Sequence, residues 1–226
     1  ASDVYKRQLK SLSKMLGKTI VAPASAPGRG GVSVIRMSGA KAKAIAEDMC
    51  GGLAQSWKFR KCKIKSTDGL VLDSGLVVFF ESPHSYTGED VVEFHCHGNP
   101  TIVNLIVEDV VKRGAVIAEP GEFTKTAFLN DKIDLAQAES VSDLINAQSK
   151  SAVIAANSSL SGNFSSSVDL IIGGLVSTRV MIEAHIDFPE EEIDSDLLEN
   201  ISYELSGFSK DIDLSLIHIS EPTRLR

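Results

Sequence analysis

Near the start of the chain, apolar and polar residues follow a period of two, which is the signature of strands. Residues 18–24 (KTIVAPA) form a short apolar run ended by prolines. Residues 31–38 (GVSVIRMS) alternate, with Val32, Val34 and Arg36 on one face and Ser33, Ile35 and Met37 on the other. Ser38 is then placed to cap a helix over 39–50 that stops at Gly51-Gly52. Strand-like runs at 57–64 and 70–81 flank Asp68-Gly69, a hairpin signal. Residues 89–97 (EDVVEFHCH) read as a further strand, followed by Gly98-Asn99-Pro100 and a helix over 101–113 closed by Gly114. A last short strand at 115–120 precedes a helix entry at Gly121-Glu122-Phe123-Thr124.

From about Ile133 the alternation disappears. LNDK (129–132) breaks the preceding helix, and Asp134 sits where its charge favours the next helix dipole. Ile133, Ala136, Ser140, Leu144 and Ala147 recur at helical spacing, which predicts one long helix over 133–160. A second helical run over 168–188 ends at Pro189, and an acidic turn occupies 189–196. The last helix carries Leu197, Ile201, Leu205, Phe208 and Ile212 on one stripe. The expected fold class is α+β, with a mixed α/β domain over 17–132 and a helical segment over 133–213. No internal repeat is evident.

Composition narrows the function classes. The 226 residues are 43% hydrophobic with a net charge of −7, which suits a globular protein and argues against a general nucleic-acid or membrane binder. The basic run 58–65 (KFRKCKIK) is best read as a solvated strand face. Cys50, Cys62 and Cys96 are odd in number and widely spaced, so neither a disulfide framework nor a metal clip is expected, and a reducing compartment fits. No continuous run approaches the ~18 apolar residues of a membrane span, and the first residues lack the continuous apolar core expected of a secretory signal. ASDVYKRQ and LSLIHISEPTRLR look foreign, so residues 1–16 and 214–226 are expected to be a non-native leader and tail. An organelle transit remnant is the other reading of the leader.

Candidate chemistry sits in three stretches. PGRGGVSVIRMSG (27–39) is rich in glycine but lacks the spacing of a phosphate loop or a dinucleotide fingerprint and runs into a strand, so its glycines read as a turn. The Gly17-Lys18-Thr19 match to a phosphate loop is a chance one. What keeps a ligand reading open is Arg36, a charge in an otherwise apolar strand. In TGEDVVEFHCHGN (87–99), Glu93, His95 and His97 share a strand face. That is a weak metal signal. Glu93 alone suits either a cross-strand ion pair or acceptance of two adjacent N–H donors from a planar heterocycle. Lys132, where the two domains join, is either a solvated turn residue or a cation that reaches an anionic ligand tail. The histidines His84, His95, His97, His185 and His218 accompany no nucleophile elbow, and no residue is assigned a catalytic or metal-ligating role.

Three strings, TIVAPASAPGRGGVSVIRMSG, SYTGEDVVEFHCHGNP and PGEFTKTAFLNDKIDLAQAESVSDLI, together with IEAHIDFPEEEI at 182–193, resemble the tRNA modification GTPase family MnmE (TrmE, ThdF) over about residues 19–200. The resemblance implies an N-terminal domain similar to the folate-binding domain of glycine-cleavage T-protein. Such a domain dimerises and binds a tetrahydrofolate derivative of the 5-formyl type as one-carbon source. It also implies a helical domain, incomplete in this chain, that an inserted GTPase domain interrupts. By motif, the folate contacts fall on Arg36 in VIRMS, Glu93 in GEDVVE and Lys132 in LNDK.

The family acts with the FAD-dependent MnmG on the wobble uridine (U34) of tRNA, forming a 5-carboxymethylaminomethyl-type group, and potassium assists GTP hydrolysis. Here the family's HGG reads His97-Gly98-Asn99, and neither a Walker A motif nor the C-terminal Cys-x-Gly-Lys is present. GTP, Mg2+ and K+ are therefore expected to belong to a G domain outside this sequence, and the chain alone is expected neither to hydrolyse GTP nor to modify tRNA. A bacterial cytoplasmic location is implied, or an organelle if the source is eukaryotic. The alternatives are a stand-alone folate-dependent aminomethyl transferase and a structural module with a vestigial site.

Overall fold

Six strands carry the first part of the chain, and their alternation decides which face each side chain takes. In the computed structural model, which describes residues 17–187 and 195–220, they are β1 (Ile20–Pro23), β2 (Gly30–Ser38), β3 (Arg60–Lys65), β4 (Val71–Phe80), β5 (Val91–Gly98) and β6 (Val116–Ile117). They form one sheet in the order β3-β4-β5-β2-β1-β6. Only the β1–β6 pair is parallel. Ile35 and Met37 of β2, Val92 and Phe94 of β5, and Val77 and Phe79 of β4 point to one face. There they pack with Ile45 and Met49 of α1 (Ala42–Cys50) and Ile106 and Val110 of α2 (Pro100–Lys112). The other face keeps Val34, Arg36, Glu93 and His95 half-buried.

Glycines meet where two backbones come close. β2 carries an irregularity between Gly30 and Ser33, and Gly30 lies opposite Gly98 of β5. A Cβ on Gly98 would overlap the Gly30 backbone. Of the expected turn glycines, Gly28 alone has positive φ, at 143°. Asn99, where the family pattern has glycine, caps α2: its Oδ1 accepts from the Thr101 amide at 2.9 Å, with Pro100 at the first helical position.

Ser38 does not cap α1. It is the last residue of β2, paired with Val91, and its buried hydroxyl bonds Thr87 Oγ1 at 2.7 Å and donates to Glu89 Oε2 at 2.9 Å. Gly39, at φ 128°, turns the chain, and the Lys41 amide donates to Thr19 Oγ1 instead, at 3.0 Å. The helix start thus has no side-chain cap, and the amide just before it is satisfied by a distant segment, which local sequence does not reveal. The 66–70 turn at Asp68-Gly69 closes the β3–β4 hairpin as expected, with the Gly69 amide bonded to Ser66 O.

The residues from Asp134 onward form a second compact unit of helices. The expected long helix is two, α4 (Leu135–Asn146) and α5 (Lys150–Leu160), which follow the short α3 (Glu122–Leu129) of the first unit. Ala147 takes extended dihedrals and the Ser149 side chain accepts from the Ala152 amide at 3.1 Å. A good N-cap at Ser149 therefore competes with helix continuation, and the reversal packs α5 back on α4. Gln137 Nε2 near the start of α4 donates to Leu160 O at the end of α5, at 3.0 Å. Asp134 and Gln137 complete a capping box.

Two long helices follow, α6 (Asn163–Asp187) and α7 (Ser195–Ser220). They meet where the Phe208 ring fills the space left by Gly174, beside the buried Ile201 and a 3.2 Å bond from Thr178 Oγ1 to Glu204 Oε2. Leu205 and Ile212 of the expected stripe are exposed. The Leu197 side chain, the 189–194 part of the acidic turn, the suspected leader at 1–16 and the 221–226 part of the suspected tail 214–226 lie outside the described residues, while the backbone of 214–220 continues α7. The stretch Asn163–Ala184 holds no long continuous apolar run, as expected, but is apolar on average. By length and mean hydropathy (1.3) it could cross a membrane, although Gly, Ser and Thr interrupt its apolar residues. This helix packs against α7 at Gly174 and Thr178.

Replacing Asp134 with Ala should remove the half of the capping box in which its Oδ1 accepts from the Gln137 amide, leave its own amide able to donate to Gln137 Oε1, and lower the stability of the helical unit by about 1 kcal/mol. Chemical denaturation followed by circular dichroism measures it.

Candidate functional site

A charge in a strand beside valines needs a partner, and β5 supplies one. In the β2–β5 register Arg36 lies directly opposite Glu93. Arg36 Nε and Nη2 both reach Glu93 Oε1 at 2.8 Å. Because both bonds converge on one oxygen, Oε2 remains for other donors, and His95 Nε2 stands 3.3 Å from it. The Arg36 guanidinium also lies over the rings of Tyr86, at 5.1 Å, and Phe123, at 5.8 Å. The Tyr86 hydroxyl is fixed in turn by Thr124 Oγ1 at 2.9 Å. The cross-strand ion pair, one of the two readings open for Glu93, is therefore present.

Lys132 arrives from the end of α3. Asn130 ends that helix, Asp131 takes positive φ (56°), and the Lys132 amide closes on Ala127 O at 2.9 Å. Asn130 Nδ2 donates to Thr87 O at 2.8 Å, which holds this turn against the 81–90 segment. The aliphatic part of Lys132 crosses Gly88, and its Nζ donates to Pro83 O at 3.0 Å. Gly88 has φ 77°, so two demands coincide there: a left-handed backbone and room for the lysine chain.

Arg36, Glu93 and Lys132 together line a cavity of about 510 Å3, whose walls also include Trp57, Phe80, His84, Tyr86 and Val91. Sequence reading missed the aromatic wall. Trp57 stands 63% exposed at φ 66°, edge-on to Phe80 with ring centroids 4.7 Å apart. The available signal was the chain's one tryptophan at the edge of a basic run, and nothing local tells a wall residue from a solvated one. Tyr86 lay inside the TGED-bearing string but carried no periodicity.

His97 leaves the group. Its amide and Nδ1 both bond Asp73, at 2.7 and 2.8 Å, away from Glu93 and His95. Among the described residues no set of three or more His, Cys, Asp or Glu side chains is arranged to hold a metal ion. Burial opposes ionisation of Asp73, but the His97 amide and ring and the Ser74 amide outweigh it and hold the carboxyl below its usual range. Glu89 goes the other way: burial raises it despite the Ser38 hydroxyl bond.

These geometries set the expected outcomes. Gly88→Ala forces an L-residue into left-handed dihedrals and should cost about 1–3 kcal/mol, read from the denaturation midpoint. Asp73, whose folded pKa is depressed, stabilises the fold above its ordinary value of 3.8 and loses that contribution as pH falls. The deficit of Asp73→Asn should therefore be full at neutral pH and shrink in acid. Glu89 is raised above its ordinary 4.5, so ionising it costs the fold stability as pH rises. Glu89→Gln should gain on the wild type over that rise, as denaturation at pH 4 and pH 7 would measure.

Comparison with known proteins bears on both units. The family model described as GTP-binding protein TrmE N-terminus matches residues 19–132, and that of the MnmE helical domain matches 135–226. Three relatives are each named tRNA modification GTPase MnmE. That of Neisseria meningitidis serogroup B is 44% identical over 208 residues, 92% of this chain and 46% of its own length. That of Hydrogenovibrio crunogenus is 51% identical over 176 residues, 78% of this chain and 39% of its own length. That of Coxiella burnetii is 44% identical over 200 residues, 85% of this chain and 44% of its own length. The chain thus spans less than half the length of these relatives.

Proposed function

The chain belongs to the tRNA modification GTPase MnmE family, and we propose that its N-terminal unit binds a tetrahydrofolate derivative in the cavity bounded by Arg36, Glu93 and Lys132. The supporting observation is convergence: residues 36, 93 and 132 line one cavity of about 510 Å3, flanked by aromatic rings. A bound 5-formyl-type folate would supply the one-carbon unit.

The donor set fits that ligand. Glu93 lines the cavity with a carboxylate whose Oε2 is not taken by Arg36, and a carboxylate can accept the adjacent N–H groups of an amino-pyrimidinone edge. Arg36 holds Glu93 in place through its Nε and Nη2. Trp57 and Tyr86 provide flat apolar surface for a planar ring. Lys132 supplies a cation for a carboxylate of the ligand, within reach of an exchange with its present Pro83 O partner.

In the whole protein this unit would dimerise and deliver the one-carbon unit to a reaction on wobble uridine of tRNA. The FAD-dependent MnmG would act there as partner, and a G domain would hold GTP, Mg2+ and K+. The setting is a reducing cytoplasm.

Titrating 5-formyltetrahydrofolate into the chain by calorimetry tests the reading. Glu93→Ala removes a charged hydrogen-bond acceptor and should cost about 1.5–3 kcal/mol, tenfold or more in affinity. Glu93→Gln, which keeps the shape, should also weaken binding. No binding by wild type, or equal binding by all three proteins, overturns the proposal.

A further inference from the structure

We propose that Cys50 and Cys62 are a reversible thiol–disulfide pair, closed by hydrogen peroxide, that ties the end of α1 to the edge strand β3. The two Sγ atoms lie 3.0 Å apart, each in a residue 7% exposed. Both are free thiols. No rearrangement of the fold is needed to bring them together, because α1 and β3 already hold them in contact. Cys96, the third cysteine, lies elsewhere in the core with its Sγ 3.5 Å from Ser33 O, so the pairing is specific.

A cation stands beside the pair. The Arg60 guanidinium donates to Gly51 O at 3.2 Å and to Gly52 O, so it clasps the same two elements that a disulfide would join. The hydrogen bond shared with Cys50 favours the Cys62 thiolate, and Arg60 assists, so Cys62 lies below the ordinary thiol value despite its burial. Cys50 is raised by that same bond and by burial. Burial and the Asp73 charge push Cys96 up to about 11. Cys62 is thus the nucleophile and Cys50 the resolving thiol.

The chemistry balances without a further reactant. The Cys62 thiolate attacks one peroxide oxygen, the O–O bond breaks, and the departing hydroxide takes a proton to become water. Cys50 then gives up its proton and attacks the Cys62 sulfur of the sulfenic acid, the S–O bond breaks, and a second water leaves. Two electrons pass from the two sulfurs to the peroxide. A dithiol reductant reverses the reaction by thiol–disulfide exchange. The closed loop is 51–61, which carries Trp57 into the cavity wall. Oxidation therefore fixes a segment that borders the site, whatever ligand that site takes.

The test uses the 226-residue chain treated with excess hydrogen peroxide and digested with trypsin without reduction. Expected is peptide 44–58 joined to Cys62-Lys63, two hydrogens lighter than the sum of the two. Titratable thiols should fall from three to one and return to three with dithiothreitol. Cys50→Ser should give no linked peptide and leave Cys62 as a sulfenic acid trapped by dimedone. Emission of the single tryptophan should change on oxidation of wild type and not of Cys50→Ser. Three persisting thiols, a link through Cys96, or a linked peptide with unaltered Trp57 emission overturns the proposal. The wild-type peptide map decides even if a serine variant folds poorly, since Cys96 is the internal control.

Discussion

The pairing of β2 with β5 is the constraint on which the rest of the N-terminal unit depends. Opposing Arg36 to Glu93 sets Ile35, Met37, Val92 and Phe94 toward α1 and α2, and leaves the charged pair on the open face. A slip of one residue would invert every side chain, driving a guanidinium and a carboxylate into the packed layer and exposing Phe94. The close approach of Gly30 to Gly98 pins the same register from the other end, since a side chain on Gly98 would overlap the Gly30 backbone. The ion pair therefore follows from the register as much as it supports it, and its half-exposed position keeps its own contribution to stability modest.

Around that pair the cavity is assembled by segments that carry little regular structure. The 81–90 segment contributes Tyr86 and the Pro83 carbonyl, the turn after α3 contributes Lys132, and the loop before β3 contributes Trp57. Ser38, Thr87 and Glu89 join one end of β2 to the first of these, and Asn130 joins the second to Thr87. Polar side chains thus tie loops together where no apolar layer can. The third loop is held differently, by Arg60 on the carbonyls of Gly51 and Gly52 and by the two adjacent thiols.

Where the period was two, the sequence was a reliable guide. The strands containing Arg36 and Glu93 were legible with their faces, and so was the Asp68-Gly69 hairpin. Helix ends were less so, because caps compete. Ser38 has the chemistry of a cap and is spent in a hydrogen-bond cluster, while Thr19, twenty-two positions before Lys41, accepts from the amide just before α1. Ser149 was read as part of a continuous helix and instead starts a new one. Spacing cannot tell a helix that continues from one that turns back on itself, since both keep the same apolar positions. Trp57 was invisible as a wall residue because its role comes from Phe80, Arg36 and Glu93, all brought to it by other strands.

The sequence by itself determined the family, the α+β class, the strand faces, and which three residues resemble folate contacts. Short-range periodicity and quoted motifs carry that much, because they depend on neighbours in the chain. Only the tertiary structure decided that Arg36 and Glu93 bond each other, that Lys132 reaches the same cavity across Gly88, and that Cys50 and Cys62 touch. Each of those contacts joins residues that sequence spacing does not relate, and strand register and helix packing set the distances between them.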